Sequence, residues 1–332
     1  MKNKKRLILG VCAAMVGLAG MAAKPANAQA AAYPNKPIRF IVGFSVGNSI
    51  DSVARIVAQY IGNKTGQTVV VDNRTGANGM LAAAEVARAQ PDGYTILISN
   101  SSTITVNPSL YAKMMYDVKR DFAPVSLIVS VPFILTVNPQ HAPIGTAPDL
   151  KAMLDLAKAK PGAYSYGSAG VGNLTQLTYE LLNGKAGVKM THVAYRGTAP
   201  AQVAVLSKEV DSTFDNPSSV PKIKAGQLRA LAVSSAQRWH ELPDVPTIAE
   251  SGYPGFDISF WVGALAPSQT PDPVVNKLSE LIASALQDPD VKAKLAQQGN
   301  LRMLGPREFA AQIGVETAQY ADIIRKADIK LE

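Results

Sequence analysis

The segment that decides the fold runs from Ile38 to Ile61 and reads IRFIVGFSVGNSIDSVARIVAQYI. Its first five residues are mostly apolar and predict a buried strand, which a loop with two glycines follows. Apolar residues then recur at the spacing of one buried helix face: Ile50, Val53, Ala54, Val57, Tyr60 and Ile61. Asn48 and Ser49 are candidate N-caps, and Asp51 lies in the first turn, where a carboxylate suits the helix dipole. Because a helix start leaves backbone N–H groups unpaired, we expect this loop to bind a carboxylate.

Residues 1–28 have the composition of a secretory signal peptide. Lys2, Lys4, Lys5 and Arg6 precede an apolar stretch, and Ala26-Asn27-Ala28 matches an A-x-A cleavage site. The apolar stretch falls short of the roughly 20 strongly apolar residues that a membrane-spanning helix needs. We therefore expect the chain to be exported and residues 1–28 to be removed.

The composition of the remaining chain excludes two classes of protein. Cys12, the only cysteine, lies in the predicted signal, so the mature chain has no disulfide framework. The chain has 33 Lys and Arg against 25 Asp and Glu; the signal holds five basic residues and no acidic ones, which leaves 28 against 25, or +3. This small excess does not indicate nucleic-acid binding. The roughly 300 residues that remain are enough for two domains.

After the opening helix, strands and helices alternate as in parallel βαβ units. Thr68–Val71 and Tyr94–Ile98 read as strands, and Gly79–Ala89 as a helix between them. In such sheets ligands bind beyond the carboxyl ends of the strands. The loops at these ends are Gly43–Ser49, Asp72–Gly79 and Ser99–Thr103, and the last of them consists of small hydrogen-bonding side chains.

The second half of the chain repeats the pattern of glycine loop and helix. Pro132 interrupts a long apolar run, Val125–Val137, as in a strand that leaves one sheet and enters another. The loop Tyr166–Asn173 leads into a helix and offers a second helix start for an anion. Met190–Tyr195 reads as a strand, and Arg196 in the loop after it would pair with a ligand carboxylate or form a surface salt bridge.

Two other motif readings apply to the first loop. Gly43-Phe44-Ser45-Val46-Gly47 matches the G-x-S-x-G nucleophile elbow of serine hydrolases, and His141, His192 and His240 follow it. Against this reading, the candidate caps place the helix start after the serine rather than at it. A dinucleotide site is disfavoured because the glycine spacing is not G-x-G-x-x-G. The three histidines show no metal-ligand spacing, so neither a metal nor a cofactor is expected.

Ordered motifs along the whole mature chain resemble one family. The motifs are Tyr33-Pro34-x-Lys36-Pro37-Ile38-Arg39, Asp72-Asn73-Arg74-x-Gly76-Ala77-x-Gly79, Pro91-Asp92-Gly93-Tyr94-Thr95, Asn107-Pro108-Ser109-Leu110-Tyr111, Asp121-Phe122-Ala123-Pro124-Val125, Gly167-Ser168-Ala169-Gly170, Tyr195-Arg196-Gly197-x-Ala199-Pro200, Leu242-Pro243-Asp244-Val245-Pro246-Thr247 and Trp261-x-Gly263-x-Leu265-Ala266-Pro267. They resemble the extracytoplasmic solute receptors of the tripartite tricarboxylate transporters, also called Bug proteins.

The resemblance implies an α/β, type II periplasmic-binding-protein (Venus flytrap) fold, with two α/β domains joined by crossing strands. Domain 1 would comprise residues 33–130 and 254–332, and domain 2 residues 131–253. A monomeric, non-enzymatic receptor in the periplasm is implied, which captures an aliphatic or aromatic carboxylate and delivers it to the transporter's membrane components. The chain departs from the family at Gly43 and Asn48, where a proline and a glycine are usual.

We expect the ligand to lie in the cleft between the domains and the cleft to close around it. Phe44 is the residue of the first loop with the best claim to contact the ligand. The expected ligand-binding residues are Phe44, Ser45, Val46, Gly47, Asn48, Ser49, Asp51, Ser99, Asn100, Ser101, Ser168, Ala169, Asn173, Arg196, Gly197, Thr198, Ala199 and Asp215.

Overall fold

The computed structural model of the chain describes residues 33–326 and 329, so the predicted signal peptide at residues 1–28 lies outside the described residues. The strands in chain order are β1 (Ile38–Val42), β2 (Val69–Asn73), β3 (Thr95–Asn100), β4 (Phe122–Pro132), β5 (Ile134–Val137), β6 (Ser165–Ser168), β7 (Thr191–Ala194), β8 (Ser212–Asp215), β9 (Arg229–Val233), β10 (Ser259–Pro267) and β11 (Asn300–Leu304). The α-helices are α1 (Ser49–Thr65), α2 (Met80–Ala87), α3 (Asn107–Leu110), α4 (Val118–Asp121), α5 (Leu150–Ala159), α6 (Leu174–Ala186), α7 (Thr198–Leu206), α8 (Val220–Lys224), α9 (Asp272–Gln287), α10 (Pro289–Ala296) and α11 (Pro306–Lys326).

The strands form two mixed sheets. Sheet one has the order β11-β4-β10-β3-β1-β2, and sheet two has the order β7-β6-β8-β5-β9. The β1 strand is parallel to both β2 and β3, as the βαβ pattern predicts, whereas β10 is antiparallel to β3 and β4. All strands of sheet two come from one continuous stretch of chain between two segments that build sheet one.

The chain passes between the sheets at Pro132. This residue ends β4 in sheet one, and two residues later Ile134 begins β5 in sheet two. The backbone N–H of Phe133, between the two strands, donates a 2.9 Å hydrogen bond to Ser234 Oγ, just after β9. The chain returns to sheet one with β10, so the predicted crossing strands are present. The exact domain limits, residues 33–130 plus 254–332 and residues 131–253, stay a prediction.

The amphipathic faces predicted from the sequence are buried. On α1 the buried side chains include Val53, Ala54, Val57 and Ile61, which join the main hydrophobic core beside β1 and β3. Between residues 33 and 326, no helix has the length and apolar character that crossing a bilayer requires.

Some elements differ from the sequence prediction. The helix predicted over Gly79–Ala89 begins with a 3-10 turn at Ala77–Gly79 and continues as α2 only to Ala87. The strand predicted over Met190–Tyr195 is reduced to β7. The β11 strand was not predicted, because its half-buried residues show neither a clean alternation nor an apolar run.

Candidate ligand-binding site

A cavity of about 730 Å³ opens where loops from both sheets face each other. On the side of sheet one, its wall comes mainly from the loop between β1 and α1 and from the residues after β3. On the side of sheet two, it comes from the starts of α6 and α7 and from the residues after β8. The lining residues are Phe44, Ser45, Val46, Gly47, Asn48, Ser49, Ile50, Ser52, Asn78, Asn100, Ser102, Phe133, Ala169, Asn173, Thr175, Arg196, Gly197, Thr198, Ala199, Pro200, Asn216, Pro217, Ser218, Phe260, Gln297 and Gln298.

The loop before α1 is held by two side chains, one from its last residue, Asn48, and one from Asp51 in the first turn of the helix. Asn48 is the N-cap of α1, and its Oδ1 accepts a 2.8 Å hydrogen bond from the backbone N–H of Asp51. Asp51 folds back onto the loop, where its Oδ2 accepts a 2.9 Å hydrogen bond from the N–H of Gly47. The predicted capping function of Asn48 is thus confirmed.

Asp51 lies behind the cavity wall rather than in it. Its side chain is only 2% exposed, and it also accepts 2.9 Å hydrogen bonds from Arg55 Nε and from Asn73 Nδ2. Burial opposes ionisation, but the hydrogen bonds from Arg55, Gly47 and Asn73 outweigh it and lower the pKa of the Asp51 carboxyl. The buried, ionised Asp51 side chain therefore holds the loop in its conformation from inside the protein.

The departure at Gly43 has a steric explanation. A Cβ atom added to Gly43 would lie 2.6 Å from the Cα atom of Gly79, which is backbone and can move only if a whole turn shifts. Gly43 and Gly79 therefore allow the first loop and the start of α2 to touch. Phe44 follows directly and lines the cavity, and its carbonyl accepts a 2.9 Å hydrogen bond from Asn73 Nδ2.

The residues at the end of β3 and directly after it alternate between the cavity and the protein interior. Asn100 lines the cavity, whereas Ser99 and Ser101 are buried at 1% and 0% exposure and do not. Ser102, which the sequence prediction did not include, lines it instead. Strand alternation explains the contrast between Ser99 and Asn100, which lie in β3, whereas Ser101 and Ser102 follow the strand and lead into a helical turn.

In sheet two the wall is built from the two loops predicted to supply donors. Ala169 and Asn173 line the cavity, and Asn173 caps α6 by accepting a 3.0 Å hydrogen bond from the N–H of Thr175. Ser168 is fully buried behind this wall, where its Oγ is 2.6 Å from His192 Nε2. Ser168 therefore supports the loop and does not face the cavity.

The start of α7 contributes four of the predicted residues, namely Arg196, Gly197, Thr198 and Ala199. Gly197 is the N-cap, with a φ of 122°, and no side chain caps the helix there. Among the lining residues that the structure describes, Arg196 alone carries a charge. This end of the cavity combines a guanidinium group with a helix start, and both favour an anion.

Asp215, which was predicted to contact the ligand, lies behind the neighbouring wall. Its side chain is 1% exposed and accepts hydrogen bonds from Gln202 Nε2 at 2.6 Å and from the N–H of Asn216 at 2.8 Å. Burial raises the pKa of this carboxyl to about 6. Asn216 itself lines the cavity and donates a 3.0 Å hydrogen bond to Thr198 Oγ1.

Other lining residues were missed for different reasons. Phe133 and Phe260 lie where the chain crosses between the sheets, and neither is among the expected ligand-binding residues. Gln297 and Gln298 follow α10, far along the chain from every glycine loop. Only a known topology would bring them to this cavity, so the sequence carried no signal for them.

The nucleophile-elbow interpretation finds no support in the geometry. The helix begins at Ser49, four residues after Ser45, rather than at the serine. The three histidines lie beside other groups: His141 is 3.9 Å from Asp211, His192 binds Ser168, and His240 is 4.0 Å from Glu241. None of these contacts forms a serine–histidine pair at Ser45.

Two mixed β-sheets with flanking helices are joined by crossing strands, and a polar cavity lies between their loops. This architecture is that of a solute-binding protein of the periplasmic-binding-protein fold. Residues 53–328 match the family model TctC, described as the tripartite tricarboxylate transporter family receptor, and the chain belongs to this family. The resemblance seen in the sequence motifs is thereby confirmed.

Several relatives match over nearly their whole length. BugT from Bordetella pertussis is 35% identical over 333 residues, which cover 99% of this chain and 100% of BugT. Rpa4515 from R. palustris, solved with adipate, is 32% identical with a TM-score of 0.80, over 90% of this chain and 99% of that one. MatC from Rhodopseudomonas palustris, solved with bound malate, is 30% identical with a TM-score of 0.76, over 88% and 100%.

Proposed function

We propose that this chain is a periplasmic receptor that binds a small carboxylate in the cavity and delivers it unchanged to the membrane components of a tripartite tricarboxylate transporter. The observation that carries the proposal is the pairing of Arg196 with the uncapped start of α7 in a cavity that has no other charged lining residue among those described. Adipate in Rpa4515 and malate in MatC, both carboxylates, support the same ligand class.

The proposed binding step uses groups from both sheets. Arg196 and the N–H groups at the start of α7 hold the carboxylate, while hydroxyl and amide groups such as Ser45 and Asn100 contact the ligand from the opposite wall. Because the two walls belong to different sheets, a ligand that contacts both favours a closed arrangement. It shifts the population only as far as it prefers the closed state over the open one.

We propose that the receptor acts as a monomer, as the family resemblance implies. Export through the predicted signal peptide would place it in the periplasm, where it can meet a membrane partner. The chain releases its ligand without a covalent step, and the hydrolase alternative is not retained.

The proposal is tested by calorimetry on residues 29–332 with malate, adipate, citrate and benzoate. A ligand at 100 times its Kd should stabilise the protein by about 2.7 kcal/mol, which thermal unfolding also detects. We expect Arg196→Gln to weaken binding at least about tenfold, since it removes a charge-assisted contact. Arg238→Gln is the matched control, because Arg238 pairs with Glu250 and does not line the cavity. Equal losses in both variants, or no binding of any acid, would contradict the proposal.

A further inference from the structure

We infer that the ligand, besides the carboxylate at Arg196, presents a second oxygen acceptor to the wall of sheet one, where the side-chain amides of Asn48 and Asn100 donate to it. Asn48 thereby determines which chemical group the receptor accepts at that end of the ligand. This inference rests on the proposed function and specifies how the same cavity recognises its ligand. Two observations carry it: the orientation of these amides and the donors that they leave without an acceptor.

The asparagine side chains that line the cavity fall into two groups. They are Asn48, Asn78, Asn100, Asn173 and Asn216. The amide nitrogens of Asn78 and Asn216 are already engaged, because Asn78 Nδ2 donates to Asn107 Oδ1 at 2.7 Å and Asn216 Nδ2 donates to Thr198 Oγ1 at 3.0 Å. In the other three asparagines, Nδ2 donates to no residue of the described chain.

These three amides are held so that a donor, not an acceptor, is left for the ligand. Asn48 Oδ1 accepts the N–H of Asp51 at 2.8 Å. In the same way, Asn100 Oδ1 accepts the N–H of Thr103 at 3.2 Å, and Asn173 Oδ1 accepts the N–H of Thr175 at 3.0 Å. An N–H group requires an acceptor, so each bond fixes which end of the amide meets the backbone. The free end is therefore the NH₂ group in each case.

Asn100 gives this arrangement its clearest energetic consequence. Its side chain is only 7% exposed, yet it lines the cavity. Polar groups that are buried to this degree are nearly always hydrogen-bonded, because an unpaired buried donor is costly. A ligand oxygen at Asn100 Nδ2 supplies the acceptor that the described chain does not.

Asn48 lies beside Asn100 in the fold. The β1 and β3 strands are adjacent and parallel, with Val42 paired with Ile98, so the loop that carries Asn48 and the residue Asn100 lie at the same edge of sheet one. Arg196 lines the cavity from sheet two. A ligand that is held by Arg196 at one end and by the two amides at the other therefore spans the cleft.

Substitutions of Asn48 separate its capping function from the proposed ligand contact. Asn48→Asp keeps an oxygen for the Asp51 N–H and replaces the free donor by a second carboxylate oxygen, so the urea midpoint should stay near that of the wild type. Binding of a dicarboxylate should fall about a hundredfold, because the second end of the ligand then meets a like charge. Asn48→Gly only removes the donor and should weaken binding about tenfold.

Asn63→Asp is the matched control. It makes the same chemical change at an exposed residue near the other end of α1 that does not line the cavity. The added charge lies roughly 20 Å along the helix from Asn48, beyond the Debye length, so we expect every ligand to bind within about twofold of the wild type.

Pairs of ligands show whether Asn48 contacts the second end of the ligand. Succinate and 4-aminobutanoate share one carboxylate, and an ammonium group replaces the oxygen acceptor at the other end; adipate and 6-aminohexanoate form the corresponding longer pair. Calorimetry on residues 29–332 compares both pairs, malate and benzoate. In Asn48→Asp we expect both dicarboxylates to lose affinity and both amino acids to bind at least as tightly as to the wild type, because an ammonium group pairs with the new carboxylate.

The outcomes separate this inference from the proposed function. Equal losses for the two members of a pair in Asn48→Asp, or no loss for either dicarboxylate, would overturn the contact with Asn48. Tighter binding of benzoate than of succinate, malate and adipate would overturn the second acceptor group and leave the carboxylate receptor standing. Failure of every acid to bind a folded protein would overturn both.

Discussion

The Asp51 carboxylate and the backbone N–H of Gly47 are joined by a 2.9 Å hydrogen bond that ties the start of α1 to the loop before it. We expect Asp51→Ala to lower the free energy of unfolding by about 2 kcal/mol, because it leaves the Gly47 N–H without its side-chain acceptor and removes the contacts of Asp51 with Arg55 and Asn73. Urea unfolding measures this loss. Asp155→Ala is the control, since it removes an exposed pair with Lys151 and should leave the urea midpoint unchanged.

The lowered pKa of the Asp51 carboxyl predicts how the stability of the protein changes at acidic pH. The pKa of Asp51 is lowered in the folded protein, so its contribution to stability is present above its ordinary pKa of 3.8 and is lost as the pH falls through the folded pKa. The difference in stability between wild type and Asp51→Ala should therefore be constant from pH 5 to 7 and narrow below about pH 4. A difference that grows in acid would contradict this assignment.

Asn48 is the N-cap of α1, so substitutions of Asn48 should lower stability in the order of the capping ability that they lose. Asn48→Ala should cost about 1 kcal/mol of stability, whereas Asn48→Asp should cost little because aspartate caps equally well. Asn48→Gly, the residue usual in the family, should cost only a few tenths of a kcal/mol. Equal urea midpoints for the alanine variant and the wild type would show that the cap is unimportant.

Alanine should lower the stability of the protein at Gly43, which contacts Gly79, and raise it at Gly184, which has open space around it. Gly43→Ala should lower stability by about 1 to 3 kcal/mol, because its Cβ would lie 2.6 Å from the Gly79 backbone. Gly184→Ala lies within α6 with no atom within 4 Å of the added Cβ, so it should raise stability by about 0.5 to 1 kcal/mol. Thermal unfolding of the two variants decides the point, and a stabilising Gly43→Ala would show that the turn can shift freely.

Asp215 should make the stability of the protein depend on pH in the opposite sense from Asp51. Burial raises the pKa of Asp215 from 3.8 to about 6. The folded protein therefore holds this proton more tightly than the unfolded chain, and the resulting stability is full below about pH 3.8 and lost as the pH rises through about 6.

We expect Asp215→Asn to be the more stable protein at pH 7, by about 3 kcal/mol at most, since each pKa unit corresponds to about 1.4 kcal/mol. The advantage should shrink as the pH falls towards 4. Urea midpoints of both proteins between pH 4 and 7 provide the test. An advantage that is independent of pH would mean that Asp215 does not titrate in this range.

The parts of the fold that the sequence predicted are those with strong local signals. The buried face of α1 follows from its apolar spacing, and the crossing from sheet one to sheet two follows from Pro132, which cannot donate to a ladder. The two glycine loops were predicted as a candidate site, and both line the cavity, because carboxyl ends of strands and helix starts meet there. By contrast, β11 pairs only with β4, a contact that no local pattern encodes.

Some of the predicted site residues do not line the cavity, because burial decides their position; their contact with a ligand stays a prediction. Ser99, Ser101, Ser168, Asp51 and Asp215 are all polar and all adjacent to lining residues, yet each is turned into the protein. Asp51, Ser168 and Asp215 each accept a hydrogen bond from a backbone N–H of a neighbouring loop, whereas the hydroxyls of Ser99 and Ser101 have no partner among the described residues. Composition does not separate residues that hold a loop from residues that line the cavity. Gln297 and Phe133 reach the cavity only through tertiary structure.

The position of β10 has a consequence for how the chain acquires its structure. This strand, Ser259–Pro267, lies between β3 and β4, which do not pair with each other directly. Sheet two can form all its pairings from residues 134–233, but sheet one stays divided until the chain beyond residue 258 is available. Although the N-terminal strands are made first, their sheet is completed last. During synthesis, the strands of sheet one that are made first therefore wait for β10 before their sheet can close.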